Sequence, residues 1–115
     1  MRFMILITSD EKAETKATEA DRKEIWGRYM KYSQELKSAG VMLAGDALAN
    51  SSKGARVRVD GGKRTVTDGP FTEAKEVIGG YYLIQVKSKD EAVEWAARCP
   101  GASSGGVEVR EVVEM

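Results

Sequence analysis

The spacing of apolar residues changes along this chain, and each change predicts a different element. Residues 2–8 are apolar without alternation, which is typical of a strand covered on both faces. The polar stretch 10–16 is predicted to be irregular. Thr18 and Asp21 then have the spacing of a capping box, and the helix that they begin should end at Gly40. Its apolar face is predicted to consist of Ile25, Tyr29, Tyr32 and Leu36.

The middle of the chain is typical of short strands and turns. Residues 41–44 form a brief apolar run that predicts a strand. The alternating segments 55–60 and 64–67 flank a Gly-Gly pair at 61–62, which predicts a β-hairpin. Residues 80–86 are aromatic and β-branched, so we predict another strand there.

A second helix and a last strand complete the pattern. Ser88 and Glu91 have capping-box spacing, and Pro100 sets the latest point at which the helix can end. Residues 107–113 alternate between Val and charged side chains, as a strand with one solvated face does. One side of this helix is predicted to carry Val93, Ala96 and Ala97.

The order β-α-β-hairpin-β-α-β predicts a single α+β domain over residues 1–115. It suggests a ferredoxin-like split βαβ sandwich with an inserted β-hairpin. Both helices would cover one face of the sheet. The other face would leave too much apolar surface in water, so we expect a second copy to cover it and form a dimeric α+β barrel.

Composition narrows the functional classes. The 115 residues are 42% hydrophobic and 31% charged, with a mean hydropathy of −0.39. Eighteen basic and eighteen acidic residues cancel, which disfavours nucleic acid as a partner. The apolar N-terminal run is too short for a membrane span or a signal peptide, so a cytoplasmic protein without membrane contact is expected.

Histidine is absent from the sequence, and cysteine occurs once, at Cys99. No imidazole can therefore activate a serine or cysteine, and the usual zinc, copper and non-haem iron ligand sets cannot form. A lone cysteine forms no internal disulfide and fits a reducing compartment. We expect no metal and no cofactor.

Residues 67–76 read Thr-Asp-Gly-Pro-Phe-Thr-Glu-Ala-Lys-Glu, and residues 79–84 read Gly-Gly-Tyr-Tyr-Leu-Ile. This combination resembles the signature of the DGPF-motif branch of the YCII-related family. The likeness extends over nearly the whole chain, including the first strand, the helix end at 35–40, the segment 94–98 and the ending at 107–110.

The resemblance implies a ferredoxin-like, usually dimeric α+β barrel with a cleft of unknown ligand between the sheet and the loops. Members of the DGPF branch are often encoded beside extracytoplasmic-function sigma factors, which implies a regulatory setting. The wider family has a His-Asp pair proposed to be catalytic, its Asp directly before a Pro. Here Cys99 precedes Pro100 and no His exists, so the resemblance does not bring that pair to this chain.

The DGPF segment contains two candidate site residues. Asp68 could sit in a cleft and move a proton, or it could cap its own turn, as Asp commonly does. Phe71 could wall a pocket or act as a core plug. Glu73 and Lys75 could form a polar cleft wall or a solvated face.

Three further candidates lie outside that segment. Asp46, expected after a strand end, could join Asp68 and Glu73 as a carboxylate group for Mg²⁺ or for acid–base work, although this spacing is not that of a calcium loop. Tyr81 and Tyr82 point to opposite faces, so at most one lines a pocket. Arg64, with Arg56 and Arg58, could grip an anion or protect a sheet edge.

Two functions are compatible with these residues. The first is a dimeric barrel that binds a small molecule, with any chemistry limited to proton transfer by carboxylates. The second is a non-catalytic regulatory or interaction module associated with a sigma-factor system, in which the DGPF segment and the hairpin only shape a dimer or partner surface.

Overall fold

The fold is built on a four-stranded antiparallel sheet, seen in a computed structural model that describes residues 1–72, 74 and 76–115. The strand order is β2-β5-β1-β6, so the first strand lies between the last two of the sheet. The strands are β1 (Arg2–Ser9), β2 (Met42–Ala47), β5 (Val77–Gln85) and β6 (Val107–Glu111). The intervening strands β3 (Ala55–Asp60) and β4 (Lys63–Asp68) form a separate hairpin.

The described residues form three α-helices beside the sheet, α1 (Glu11–Glu14), α2 (Glu19–Ser38) and α3 (Lys89–Ala97). The connections contain the 3-10 helices Ser51–Lys53 and Pro100–Ser103. With α2 and α3 on one face of this strand order, the predicted ferredoxin-like fold with an inserted hairpin is confirmed. The dimeric barrel remains a prediction.

The core lies between the sheet and the two long helices. Phe3 pairs with Ile84 and Ile5 with Tyr82, and paired residues share a face, so these four side chains form one layer under the helices. Tyr32 and Leu36 of α2 and Ala92 and Ala96 of α3 supply the other layer. Burial of this face accounts for most of the hydrophobic stabilisation.

Helix α2 follows its predicted pattern closely. Thr18 Oγ1 accepts a hydrogen bond from the Asp21 amide at 3.1 Å, and Asp21 accepts one from the Thr18 amide at 3.0 Å, which completes the capping box. The apolar face is buried only toward its C-terminal end, since Ile25 is 47% exposed. Hydrogen bonding from the backbone amide of Thr18, and then from its side chain, holds the pKa of Asp21 below its ordinary value.

Helix α3 corrects two predictions. The buried pair is Ala92 and Ala96, four residues apart, whereas Val93 is 45% exposed and Ala97 is exposed as well, so the predicted face was rotated by about one residue. Ser88 caps the helix as predicted, but Glu91 accepts from the Lys87 amide rather than from Ser88. Small alanines at the buried positions let the helix lie close to the sheet.

The segment predicted to be irregular contains helix α1, so that prediction was wrong. Asp10 Oδ1 accepts from the amides of Lys12 and Ala13 at 3.1 and 3.2 Å, and this cap starts the turn. None of the four residues of this helix is buried, so it needs no apolar face and its sequence shows no apolar periodicity. A local cap can therefore form a turn that hydrophobic spacing does not reveal.

The β3–β4 hairpin stands apart from the core. Gly61 and Gly62 have φ values of 55° and 82°, the backbone of a two-residue type I′ turn, as the Gly-Gly pair predicted. All residues of both strands are exposed. The radius of gyration is 16.0 Å, against about 13 Å for a compact chain of this length, because the hairpin projects beyond the sheet.

Candidate functional site

The side of the sheet opposite the helices carries a polar pair at one edge. Asp46 on β2 lies directly across from Tyr81 on β5, so their side chains share this face. The Tyr81 hydroxyl donates a hydrogen bond to Asp46 Oδ2 at 2.7 Å. Asp46 is inside β2, which runs to Ala47, rather than after a strand end as the sequence suggested.

The electrostatics of this pair favour a neutral phenol beside a carboxylate. The hydrogen bond to Asp46 and the charge of that carboxylate together raise the pKa of Tyr81 above its ordinary value of 10.0. Asp46 is exposed, and one of its oxygens remains beside the one that Tyr81 occupies. The pair can therefore accept a hydrogen bond or a proton at the carboxylate while the phenol keeps its orientation.

Apolar side chains adjoin the pair on the same face. Tyr81 is paired with Leu6 of β1, and the next row holds Leu83 paired with Met4. Leu6, Leu83 and Met4 are partly buried, and we call this side the open face of the sheet. Ala44 extends the second row on β2.

The far edge of the open face is also polar. Glu108 of β6 is paired with Leu6, and Arg110 is paired with Met4. Arg110 Nη1 donates to Glu108 Oε2 at 3.1 Å. One row across the sheet therefore runs Asp46, Tyr81, Leu6 and Glu108, an apolar centre with a carboxylate at each end.

Sequence reasoning missed Glu108 and Arg110 as members of this surface. Their alternation with Val107 and Val109 predicted the solvated face of a strand, which is correct. That pattern does not reveal which strand lies beside β6. The pairing of β6 with β1 is what places these charges opposite Asp46.

Tyr82 lies on the helix side, so the prediction that the two tyrosines face opposite ways is confirmed. Its hydroxyl is 2.6 Å from that of Ser33, and its ring meets the Tyr32 ring edge-on with centroids 5.2 Å apart. Burial raises the pKa of Tyr82. Of the two tyrosines, Tyr81 is the one that lies on the open face.

The DGPF segment is fixed at the base of the hairpin through Ser51. The Phe71 amide donates to Ser51 Oγ at 3.1 Å, and the Glu11 carboxylate accepts from both the Ser51 amide, at 2.7 Å, and the Ser51 hydroxyl. Arg56 lies over the Phe71 ring, its guanidinium carbon 3.9 Å from the centroid. Phe71 is thus partly buried and held from two sides.

Glu11 and Ser51 were not singled out from the sequence. They are forty positions apart, and neither belongs to a motif that predicts their contact. The nearest sequence signal was Asn50-Ser51-Ser52, which has the composition of a turn. The contact depends on the way α1 folds back against the hairpin base.

Asp68 and Arg64 lie on the β3–β4 hairpin, a two-stranded sheet separate from the four-stranded sheet that carries the Tyr81–Asp46 pair. Asp68 is paired with Ala55 at the base and Arg64 with Val59 near the tip, and both are exposed. Among the described residues, neither side chain forms a hydrogen bond or ion pair, so the turn cap considered for Asp68 is not made there. Glu73 and Lys75 lie outside the described residues.

Cys99 belongs to the core. It is 2% exposed, and burial raises the pKa of its thiol, which disfavours the reactive thiolate. Burial likewise raises the pKa of Tyr29 and Tyr32 beside it. These groups pack between the helices and the sheet, away from the open face.

A shallow groove of about 400 Å³ between α1 and α2 contains none of the predicted site residues. It is lined by Ala13, Lys16, Ala17, Asp21, Glu24 and Ile25. Within residues 1–72, 74 and 76–115, no three acidic or cysteine side chains cluster as a metal site would require. No helix in those ranges has the length and apolar character needed to cross a membrane.

Comparison with known proteins shows the family to which this chain belongs. An uncharacterised protein of Rhizobium meliloti (strain 1021) is 30% identical over 112 residues, covering 96% of this chain and 90% of that protein. The solved structure of 5-chloro-2-hydroxyhydroquinone dehydrochlorinase from Burkholderia phenoliruptrix AC1100, in complex with 2,5-dihydroxybenzoquinone, superposes with a TM-score of 0.55 at 14% identity. That match covers all of this chain and 96% of the other, and at this identity it shows the fold. The model of the YCII-related domain matches residues 1–115, and the chain belongs to that family.

Proposed function

We propose that this protein binds a small molecule on the open face of its sheet, with the Tyr81–Asp46 pair as the polar anchor. The observation that carries the proposal is the 2.7 Å hydrogen bond that fixes Tyr81 against Asp46 beside the apolar side chains of Leu6 and Leu83. An apolar surface with a few oriented polar groups is the usual composition of a small-molecule site. Phe71, Asp68 and Arg64 are predicted to contribute from the hairpin side.

The chemistry of the surface indicates the class of ligand. Two apolar rows can cover the face of a planar ring, and Asp46 can accept a hydrogen bond from a hydroxyl at its edge. Glu108 and Arg110 offer an acceptor and a donor at the opposite edge. We therefore propose a small planar molecule with hydroxyl or carbonyl groups, and the neighbour's complex with 2,5-dihydroxybenzoquinone supports that class.

A second copy is proposed as the lid of this site. The open face holds Met4, Leu6 and Leu83, which are only partly buried in the single chain. The molecule measures 45 by 43 by 18 Å, so its shortest dimension accommodates one helix layer on one sheet. Two open faces packed together would exclude water from the Tyr81–Asp46 pair and strengthen its electrostatics.

Proton transfer by a carboxylate is the only chemistry in this proposal. Asp46 is the carboxylate in contact with Tyr81. In this step Asp46 would take a proton from the ligand and would then give that proton back to the product or to water. Asp68 is the second candidate, on the exposed hairpin. The substitution Asp68→Asn keeps the shape and removes the charge, so it reports whether Asp68 takes part in binding or turnover.

The test is calorimetric titration of the full chain with 2,5-dihydroxybenzoquinone as the probe. Wild type should bind it, and Tyr81→Phe and Asp46→Asn should each weaken binding by about tenfold or more, since each removes one partner of the hydrogen bond that orients the anchor. Tyr29→Phe is the matched control, because it removes a phenol hydroxyl from the helix side of the sheet.

Equal affinity in wild type and both site variants would contradict the proposed anchor. Loss of binding in Tyr29→Phe to the same extent would show that the effect is a general loss of packing. Absence of heat with wild type would exclude this probe class, and the proposal as stated would then fail.

The second candidate function is the interaction module. The exposed hairpin favours it, because twelve exposed residues in a two-stranded arm form a surface larger than a ligand cleft requires. In that case Asp68→Asn should leave ligand binding unchanged and alter association with a partner. For this second function we also propose that the protein belongs to the DGPF branch of its family and that it works in a regulatory setting with a sigma-factor system.

A further inference from the structure

The β3–β4 hairpin has two faces of different chemistry. Alternation puts Arg56, Arg58 and Lys63 on one face, the same side on which Arg56 meets Phe71. The opposite face, which we call the valine face, is apolar at its centre. It consists of Ala55, Val57, Val59, Arg64, Val66 and Asp68.

The valine face is uncovered in the single chain. Val57 and Val59 are each 63% exposed and Val66 is 52% exposed. A two-stranded hairpin is at best marginally stable in water without something to pack against. Three exposed valines on one side of such an arm indicate that this side is covered in the functional assembly.

The charges on this face are arranged to match a second copy of it. Arg64 lies toward the tip and Asp68 at the base, on the same strand and with Val66 between them. They are about 13 Å apart at roughly 3.3 Å per residue, too far to pair within one chain. Neither has a partner among the described residues.

A two-fold axis across the strands satisfies both charges at once. If two hairpins pack face to face, about 10 Å apart and tip over base, Arg64 of each copy meets Asp68 of the other. Val66 then meets its own counterpart at the axis, and Val57 does the same on β3. Each copy contributes the same patch, as an isologous interface requires.

We propose that the valine face is a self-association surface whose occupant is the valine face of a second copy, locked by two Arg64–Asp68 ion pairs. This surface lies on the hairpin rather than on the open face of the sheet, and it does not depend on small-molecule binding. In this assembly Arg64 and Asp68 serve the interface instead of the hairpin-side ligand role considered for them above, because they share one face and lie at its opposite ends.

The experiment is chemical cross-linking of single-cysteine variants of the full chain. Val66→Cys should cross-link to a covalent dimer with a short bismaleimide, because two Val66 positions meet at the axis. Thr65→Cys is the matched control on the opposite face of the same strand and should cross-link at least about tenfold more slowly. Native Cys99 is buried and contributes little reaction. Val57→Cys provides a second reporter should Val66→Cys fail to fold.

Charge exchange then tests the ion pairs. Arg64→Asp or Asp68→Arg, each placed in the Val66→Cys background, should slow cross-linking by about tenfold or more, because like charges would face each other twice. A mixture of the two variants should restore the rate, since one copy then supplies two Asp and the other two Arg. Arg58→Asp on the opposite face should have little effect.

Equal cross-linking of Val66→Cys and Thr65→Cys would overturn the proposed surface. Failure of the mixture to restore the rate would overturn the proposed ion pairs and with them the stated packing. Neither result bears on the titrations, because those use Tyr81 and Asp46 variants in which the hairpin is unchanged.

Discussion

The central sheet and the hairpin are both antiparallel and well paired, yet only one of them is buried. In the sheet, Phe3, Ile5 and Ile84 lie under two helices and are almost fully removed from water. In the hairpin, every residue of both strands is exposed, and the contacts that the described residues make with the arm include Gly69 with Gly54 and Phe71 with Arg56 near its base. Strand pairing thus defines the shape of both regions, whereas burial stabilises only the sheet.

The same contrast appears between the two faces of the sheet. On the helix face the tyrosine hydroxyls have hydrogen-bond partners within the protein, since Tyr32 donates to the Trp95 carbonyl at 2.7 Å and the Tyr82 hydroxyl contacts that of Ser33. The open face leaves Tyr81 and Asp46 accessible beside apolar neighbours. A site for another molecule is expected where polar groups remain accessible.

The largest predicted difference concerns burial. Ile84→Ala should lower the free energy of unfolding by about 2–5 kcal/mol, because it removes a fully buried side chain and leaves a cavity. Val59→Ala on the hairpin should change it by less than about 0.5 kcal/mol in the isolated chain. Urea unfolding of both variants at low protein concentration measures the two changes in the free energy of unfolding. Equal losses of stability would contradict the statement that burial stabilises only the sheet.

Anchoring of the hairpin base gives the next effect. A Cβ at Gly69 would lie 1.8 Å from the Ser51 carbonyl oxygen, so Gly69→Ala should cost about 1–3 kcal/mol and loosen the contact of Phe71 with Ser51. Gly105→Ala is the control, since its nearest neighbours lie at 3.9 Å. Hydrogen exchange of the Phe71 amide measures the loosening, and unchanged protection in Gly69→Ala would contradict the anchor.

A smaller effect concerns the ionisation of Tyr81. Its folded pKa is raised, so the hydrogen bond to Asp46 stabilises the fold fully below the unfolded value of 10.0 and is lost as pH rises through the folded pKa. Spectrophotometric titration of wild type against Tyr81→Phe should show a phenol that ionises above pH 10.0. Asp46→Asn should bring that ionisation back toward the ordinary value, and a midpoint unaffected by Asp46→Asn would contradict the pairing.

The smallest predicted effect is at the surface. Arg2 Nε donates to Glu114 Oε1 at 2.9 Å, and this ion pair lowers the pKa of Glu114. Both side chains are exposed, so a double-mutant cycle with Ala at each position should give a coupling close to zero, far below the loss expected for Ile84→Ala. The coupling should fall further in high salt. A coupling as large as the Ile84→Ala loss would show that surface charge rivals burial.

Much of the fold could be predicted because its signals are local. The Thr18–Asp21 cap and the Gly-Gly turn each lie within a few residues, and both predictions are confirmed. The predicted face of α2 is confirmed at Tyr32 and Leu36, whereas Ile25 is exposed. The rotation of α3 was missed because Val93, Ala96 and Ala97 are all apolar, and only packing decides which of them is buried. Helix α1 was missed because its cap carries no hydrophobic period.

The candidate site could be predicted only one residue at a time. Tyr81 and Asp46 were named separately, but their contact depends on the pairing of β2 with β5. The row that ends at Glu108 also needs β6 beside β1, and the hold on Phe71 needs Glu11 next to Ser51. Such contacts join residues 35 or more positions apart, which periodicity does not encode.

The most direct test of the proposed function is native mass spectrometry of wild type and Tyr81→Phe as purified from cells. Our account predicts a dimer of wild type, or a larger assembly of such dimers joined through the valine face, that retains a small molecule. It also predicts loss or marked reduction of that molecule in Tyr81→Phe. A wild-type monomer without any bound molecule, indistinguishable from Tyr81→Phe, would contradict the proposal that the open face is a ligand site covered by a second copy.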